Sequence, residues 1–131
     1  MKVKRFNARP RRNELQAFWS LLIKHRDKFV CQWCGSTHLL QSAHIFGKQA
    51  SPAVRFNLAN GVTLCTSCHF KADNSHRHDF TLFCMERLGT ERFEELRAMA
   101  HVSRVSWCRA DYDRDLAYLN DEAIALGVET Q

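Results

Sequence analysis

The sequence predicts a small α+β domain, with short strands and a bound metal at its centre and helices on either side. Three observations predict it. Two Cys-x-x-Cys pairs, Cys31/Cys34 and Cys65/Cys68, are placed to supply four thiolates to one ion. Short apolar runs lie beside each pair and have the length of strands. Apolar residues at three- and four-residue spacing precede and follow this central region, as in amphipathic helices. A length of 131 residues fits one domain, small enough to profit from a structural metal.

Residues 1–12 (MKVKRFNARPRR) are rich in Lys, Arg, Asn and Pro and read as a flexible basic arm. From Asn13, a potential cap, Leu15, Phe18, Trp19, Leu22 and Ile23 mark a helix that ends near residues 25–27. Phe29-Val30-Cys31 and Leu39-Leu40-Gln41-Ser42 read as strands flanking a turn at Gly35-Ser36. Residues 46–57 (FGKQASPAVRFN) read as a loop, and Gly61-Val62-Thr63-Leu64 as a strand entering the second cysteine pair. A helix is expected from His69 onward. Asp79 is a candidate cap for a segment carrying Phe80, Phe83, Cys84 and Leu88, which Gly89 would stop. Thr90 would then cap residues 91–99, with Phe93, Leu96 and Met99 on one face. A last helix is expected over residues 113–126, with Leu116, Leu119 and Ala123 aligned and Gly127 as its stop. Residues 13–131 thus form a single domain, with a zinc-braced core at 28–78 and a helical extension at 79–131.

Four thiolates close a tetrahedral zinc shell, so a metal held by Cys31, Cys34, Cys65 and Cys68 would be structural and not catalytic. Duplicated pairs speak against a redox Cys-x-x-Cys. The basic N-terminus has no apolar run after it, and no stretch approaches the ~20 apolar residues of a membrane span. The reading is therefore of a protein in a reducing cytoplasm, where paired cysteines bind metal and do not form disulfides. Cys84 and Cys108 lie on helical segments and behave as small apolar residues. The formal charge of +5, with a pI near 9.1, favours an acidic partner, nucleic acid being the commonest.

Between and after the cysteines stand an Ala-His-Ile tripeptide (His44), an Asn-Gly pair (Asn60) and a His directly after Cys68 (His69). Taken with CQWC, NGVTLC and TSCH, these pieces resemble the HNH endonuclease superfamily, in the subgroup whose ββα-metal, treble-clef-like core is braced by four cysteines. The resemblance covers residues 31–73, about a third of the chain. It implies a metal-dependent DNA endonuclease that leaves a 5′-phosphate and a 3′-hydroxyl. By motif, His44 is the general base, Asn60 the middle residue and His69 a ligand of the catalytic metal. The residue types suit the chemistry: an imidazole of near-neutral pKa can take a proton from water. A divalent cation can stabilise charge on the phosphoryl and leaving oxygens. The asparagine amide can fix the loop holding the base or touch the metal, and as part of an Asn-Gly pair it also suits a purely structural turn.

Ala43 departs from the family pattern, in which an Asp or His before the base often binds the metal. Asp73, four residues beyond His69 and on the same helix face, is the candidate replacement, in a position where the family often has histidine. Its plain alternative is a solvated helix residue. His76 and His78 are reserve ligands, whereas His25, His38 and His101 match no motif. A mixed N/O site suits Mg²⁺, Mn²⁺ or another divalent metal. Lys48, Arg55 and Lys71 are candidate phosphate contacts. Lys2, Lys4, Arg5, Arg9, Arg11 and Arg12 would add non-specific DNA affinity or simply solubility. The compact format resembles phage or prophage enzymes, NinG-like proteins among them, that act on duplex or branched recombination intermediates, and small nicking enzymes. A homodimer would supply two active sites for double-strand cleavage. The competing reading is a non-catalytic, zinc-braced nucleic-acid-binding module, a degenerate HNH domain that has lost a ligand at Ala43. A zinc-stabilised protein-interaction domain accounts for the cysteines but not for the histidines or the charge.

Overall fold

The computed structural model describes residues 2–3, 12–47, 51–102 and 107–130, the first and last pairs by their backbone alone. In chain order the elements are β1 (Lys2–Val3), α1 (Arg12–Arg26), β2 (Leu40–His44), α2 (Pro52–Arg55), β3 (Gly61–Cys65), α3 (Thr66–Asp73), α4 (Arg77–Leu88), α5 (Thr90–Ala100), α6 (Arg109–Ala125) and β4 (Glu129–Thr130). A 3₁₀ turn, Leu58–Asn60, leads into β3. The chain is a small α+β fold. Its centre is an antiparallel β2–β3 ladder, running in register from Leu40↔Cys65 to His44↔Gly61, followed at once by α3. β1 pairs in parallel with β4, joining the two ends of the described chain.

The helical stripe of α1 is buried as its spacing demands: Leu15, Phe18, Trp19, Leu22 and Ile23 all face inward. Glu14 in its first turn and Lys24, His25 and Arg26 in its last suit the helix dipole. Beyond it, the expected strand at Phe29-Val30-Cys31 is absent. Lys28 and Phe29 take φ of 59° and 56°, and the Phe29 N–H donates to the Lys24 carbonyl at 2.9 Å. This left-handed reversal swings Cys31 beneath β3, where the Gln32 N–H donates to the Thr63 carbonyl at 2.9 Å. Composition favoured a strand, and the need to turn the chain overrode it. The true partner of β2 is β3.

Other boundaries shift for local reasons. The expected loop at 46–57 contains α2, where the Ser51 hydroxyl caps the Ala53 N–H at 3.2 Å and Pro52 fills the first position. α3 starts before His69 because the Cys65 sulfur serves as its cap, accepting from the Cys68 N–H at 3.4 Å. α4 opens at Arg77, so Asp79 lies inside its first turn and is not its cap. Gly89, with φ of 86°, ends it. On α5 the buried face is Phe93, Leu96 and Ala100, and Met99 is exposed. α6 begins at Arg109, with Cys108 as its exposed cap residue and not an apolar core residue. Gly127 follows it in the left-handed region.

The ladder separates two apolar clusters. Ala43, Val62 and Leu64 pack toward Phe80, Cys84, Phe93 and Leu96. On the other side the α1 stripe packs with Phe56, Leu58, Tyr112, Leu119 and Ala123. Gly61 sits where α1 crosses the ladder, and a Cβ there would lie 2.4 Å from a Trp19 ring carbon and 2.6 Å from Ile23. Only glycine lets the backbone approach so closely. Asp27 joins α1, β3 and α4. Its carboxylate, 6 % exposed, accepts from the Thr63 N–H at 2.9 Å and pairs with Arg26 at 2.9 Å and Arg87 at 2.7 Å. Burial alone would raise its pKa, but the two guanidiniums and the Thr63 N–H outweigh burial and hold it below the usual carboxylate range.

Candidate functional site

Two sites meet at the end of β3, one of sulfur and one of nitrogen and oxygen. The sulfur site is formed by Cys31 and Cys34 from the turn after α1, and by Cys65 and Cys68 from the β3–α3 junction. Their Sγ atoms all lie within 4.8 Å of one another, and Cys34 and Cys65 are 3.6 Å apart. Tetrahedral metal–sulfur bonds of about 2.3 Å require sulfurs about 3.8 Å apart, so the four residues fit one ion. In each pair a backbone N–H turns toward the first sulfur: Cys34 to Cys31 at 3.5 Å and Cys68 to Cys65 at 3.4 Å. Burial pushes the Cys31 thiol up, but the backbone N–H groups of Cys34, Cys65 and Trp33 outweigh it and bring it down to about 7. Burial pushes Cys68 up, as do the neighbouring sulfurs. Crowded thiols that resist sharing charge are what a cation between them would relieve.

The second site is a cavity of about 290 Å³ lined by Gln16, Ser42, His44, Gly47, His69, Asp73 and Arg77. His44 reaches it from the end of β2, while His69 and Asp73 reach it from one face of α3. The His44 ring is held on two sides. Its Nε2 lies 3.0 Å from the Arg55 carbonyl, and its face stacks on Trp19 with centroids 4.2 Å apart and planes 10° from parallel. A carbonyl can only accept, so Nε2 carries the proton and Nδ1 is the basic nitrogen of the neutral ring. Trp19 is itself fixed by its Nε1–H, which donates to the Asn57 carbonyl at 3.0 Å.

His69 Nε2 and Asp73 Oδ2 are 3.4 Å apart, near enough to bind one ion at bond lengths of about 2.1 Å. The other His69 nitrogen, Nδ1, is 2.6 Å from the Gln41 amide oxygen. That oxygen accepts, so Nδ1 is protonated and the Nε2 lone pair is the one presented beside Asp73. Among the described residues the histidines and carboxylate that line the cavity are His44, His69 and Asp73, of which the last two lie close enough together to share an ion. Ala43 is 2 % exposed and packs in the core.

The remaining candidates are placed as follows. Asn60 is wholly buried and does not line the cavity. Its Oδ1 accepts from the Phe46 N–H at 2.8 Å, and its Nδ2 donates to the Phe46 and Val54 carbonyls at 3.0 and 3.1 Å. Every amide position goes to the backbone, so Asn60 fixes the loop that follows His44. Arg55 contributes through its carbonyl; its side chain is half-buried, near Arg12 and Asp115, and away from the cavity. Lys71 is exposed on α3 and does not line the cavity, and neither do His76 and His78. Lys48, Lys4, Arg5, Arg9 and Arg11 lie outside the described residues, as does the Lys2 side chain. Arg12 opens α1 and lies over the Trp107 ring at 5.0 Å. Three residues of the site had no motif to announce them. Trp19 and Gln41 orient the two histidines, and Arg77 is, among the described residues, the cation that lines the cavity.

Among the described residues no helix is long and apolar enough to cross a membrane. Compared with family models, curated proteins and solved structures, the chain finds no match.

Proposed function

We propose that the protein is an HNH-type, metal-dependent DNA endonuclease whose core is braced by zinc at Cys31, Cys34, Cys65 and Cys68. The observation that carries this reading is the convergence of His44, His69 and Asp73 on one cavity beside the cysteine cluster. Three chemistry-bearing residues from two elements would not be expected to meet there by packing alone. The basic charge adds support for a polyanionic substrate.

In this reading, His69 Nε2 and Asp73 Oδ2 hold one Mg²⁺, Mn²⁺ or similar cation, which when bound supplies charge stabilisation to the phosphoryl and leaving oxygens. His44 Nδ1 accepts a proton from water as the water oxygen bonds to phosphorus and the bond to the 3′-oxygen breaks. The Arg55 carbonyl stabilises the imidazolium so formed, because Nε2–H already donates to it. The Trp19 face keeps the ring from turning away. Asn60 holds the backbone of the loop just after the base.

The test is cleavage of supercoiled plasmid and of a synthetic four-way junction with Mg²⁺, Mn²⁺ or EDTA. Metal-dependent cutting that His44→Ala lowers by about 10²–10⁴-fold, with zinc content and melting unchanged, is the expected result. The preferred substrate then divides nicking from junction resolution. One observation favours a second reading, a binding module without catalysis: buried Ala43 leaves the cavity with two protein ligands. DNA binding without cutting under any metal, indifferent to His44→Ala, would favour that module and overturn the nuclease.

A further inference from the structure

We infer that Arg77 is the phosphate-contacting residue of the cavity, its guanidinium gripping a non-bridging oxygen of the bound phosphodiester. This deepens the nuclease reading and rests on it for the reaction, though not for the contact. Lys71 and Arg55 do not line the cavity, whereas Arg77, which no motif announces, lines it together with His44, His69 and Asp73.

Arg77 opens α4, directly after the turn that ends α3. The residue is exposed at the rim of the cavity, and two contacts orient its guanidinium. Nη2 donates to the Ile45 carbonyl at 3.2 Å, one residue beyond the base, and its central carbon lies 6.0 Å from the Phe80 ring centroid. Among the described residues no carboxylate lies within ion-pair distance of it; Asp73 Oδ2 stands 3.4 Å from His69 Nε2 instead. The fork of an arginine carries five N–H donors, and one hydrogen bond to Ile45 leaves a rigid, charged remainder for an anion. The other charged groups of the cavity suit this division. In the nuclease reading Asp73 and His69 hold a cation and His44 is neutral to accept a proton, so among the described residues Arg77 is the permanent positive charge lining the cavity. Phosphate recognition by a fork held in place loses less side-chain freedom than recognition by a loose lysine.

The experiment compares wild type, Arg77→Gln and Arg77→Lys in two measurements. Gln removes the charge while keeping a polar side chain on the same three-carbon stem, and Lys keeps the charge without the fork. The first measurement is the salt dependence of duplex binding by fluorescence anisotropy, with no divalent metal added. The second is kcat for plasmid cleavage in Mn²⁺. Arg77→Gln should reduce the slope of log K against log[salt] by about 1, the loss of one phosphate contact, and Arg77→Lys should keep the wild-type slope. Cleavage should fall by about 10²-fold in Arg77→Gln, with Arg77→Lys between it and wild type. A changed slope in a protein that cuts nothing would uphold the contact and overturn the nuclease. An unchanged slope and rate in Arg77→Gln, while wild type cuts, would overturn the contact and leave the nuclease standing. Absence of DNA binding by wild type would overturn both.

Discussion

Cys68 and His69 are neighbours in sequence, yet the sites they belong to are built on opposite plans. The sulfur site takes all its ligands from two tight turns, and the turns' own N–H groups serve the sulfurs. It is closed: four ligands fill a tetrahedron and leave no place for substrate. The cavity site draws on α1, β2, α3 and α4, has two side chains fit to hold a metal, and keeps the rest of its volume open. Its two histidines are each held by a residue from another element, His69 by Gln41 and His44 by Trp19. A site that holds the fold together has to be complete, whereas a site for chemistry has to leave room.

The largest effect that should separate the two is loss of one sulfur. Structural metals of this kind contribute apparent binding energies of about 10–16 kcal/mol, comparable to or larger than the ~5–15 kcal/mol stability of a domain. Cys65→Ser should therefore abolish cooperative unfolding, seen by near-UV circular dichroism and by loss of bound zinc. A sharp melting transition in that variant would show the cluster to be dispensable and the comparison misplaced. Where the two sites share a support, at Gly61, the effect should be smaller. Gly61→Ala should cost about 3 kcal/mol in denaturant unfolding, since its Cβ must push Trp19 or Ile23 aside. If the protein is the nuclease proposed above, the same displacement should slow cleavage through the Trp19–His44 stack without releasing the metal of the cysteine cluster. Unchanged stability would mean that α1 can lift off the ladder freely. The smallest effect should come from Gln41→Ala, which removes only the orienting partner of His69. Mn²⁺ affinity of the zinc-loaded protein, measured by calorimetry, should weaken about 10-fold, with the melting temperature preserved. Equal affinity would show that α3 alone orients the ligand.

What could be read from the sequence follows the same division. The cysteine cluster was legible because its ligands come in short pairs, and the spacing i, i+3 is itself the geometry. His69 and Asp73 were legible for a similar reason, being four apart on one helix. For Asn60 the sequence left two alternatives, fixing the loop after His44 or touching a metal, and packing decides between them: the side chain turns inward to the Phe46 and Val54 backbone. Trp19 shows the limit from the other direction. Its periodic spacing made it a core residue, which it is, and nothing in that spacing says that one face of its ring lies against the His44 imidazole. Arg77 was hidden in a polar run, Asn74-Ser75-His76-Arg77-His78, whose composition reads as loop although a helix starts there. Phe29 was misread for the converse reason: an apolar β-former was used in a left-handed turn because the chain had to reverse.

The ladder between β2 and β3 has one end at Cys65 and the other at His44. At about 3.4 Å per residue it is a ruler that sets the separation of the cysteine cluster from His44. It also sets the orientation of His44, since adding or removing one residue within β2 would turn every following side chain to the opposite face. The segment that follows His44 is tied to the rest of the fold at Phe46 and Val54 by Asn60, at Ser51 by its N–H to the Ala100 carbonyl at 3.0 Å, and at Arg55 by its carbonyl to His44. The ladder therefore fixes where His44 stands along the chain, and the α2 segment fixes its ring from the side.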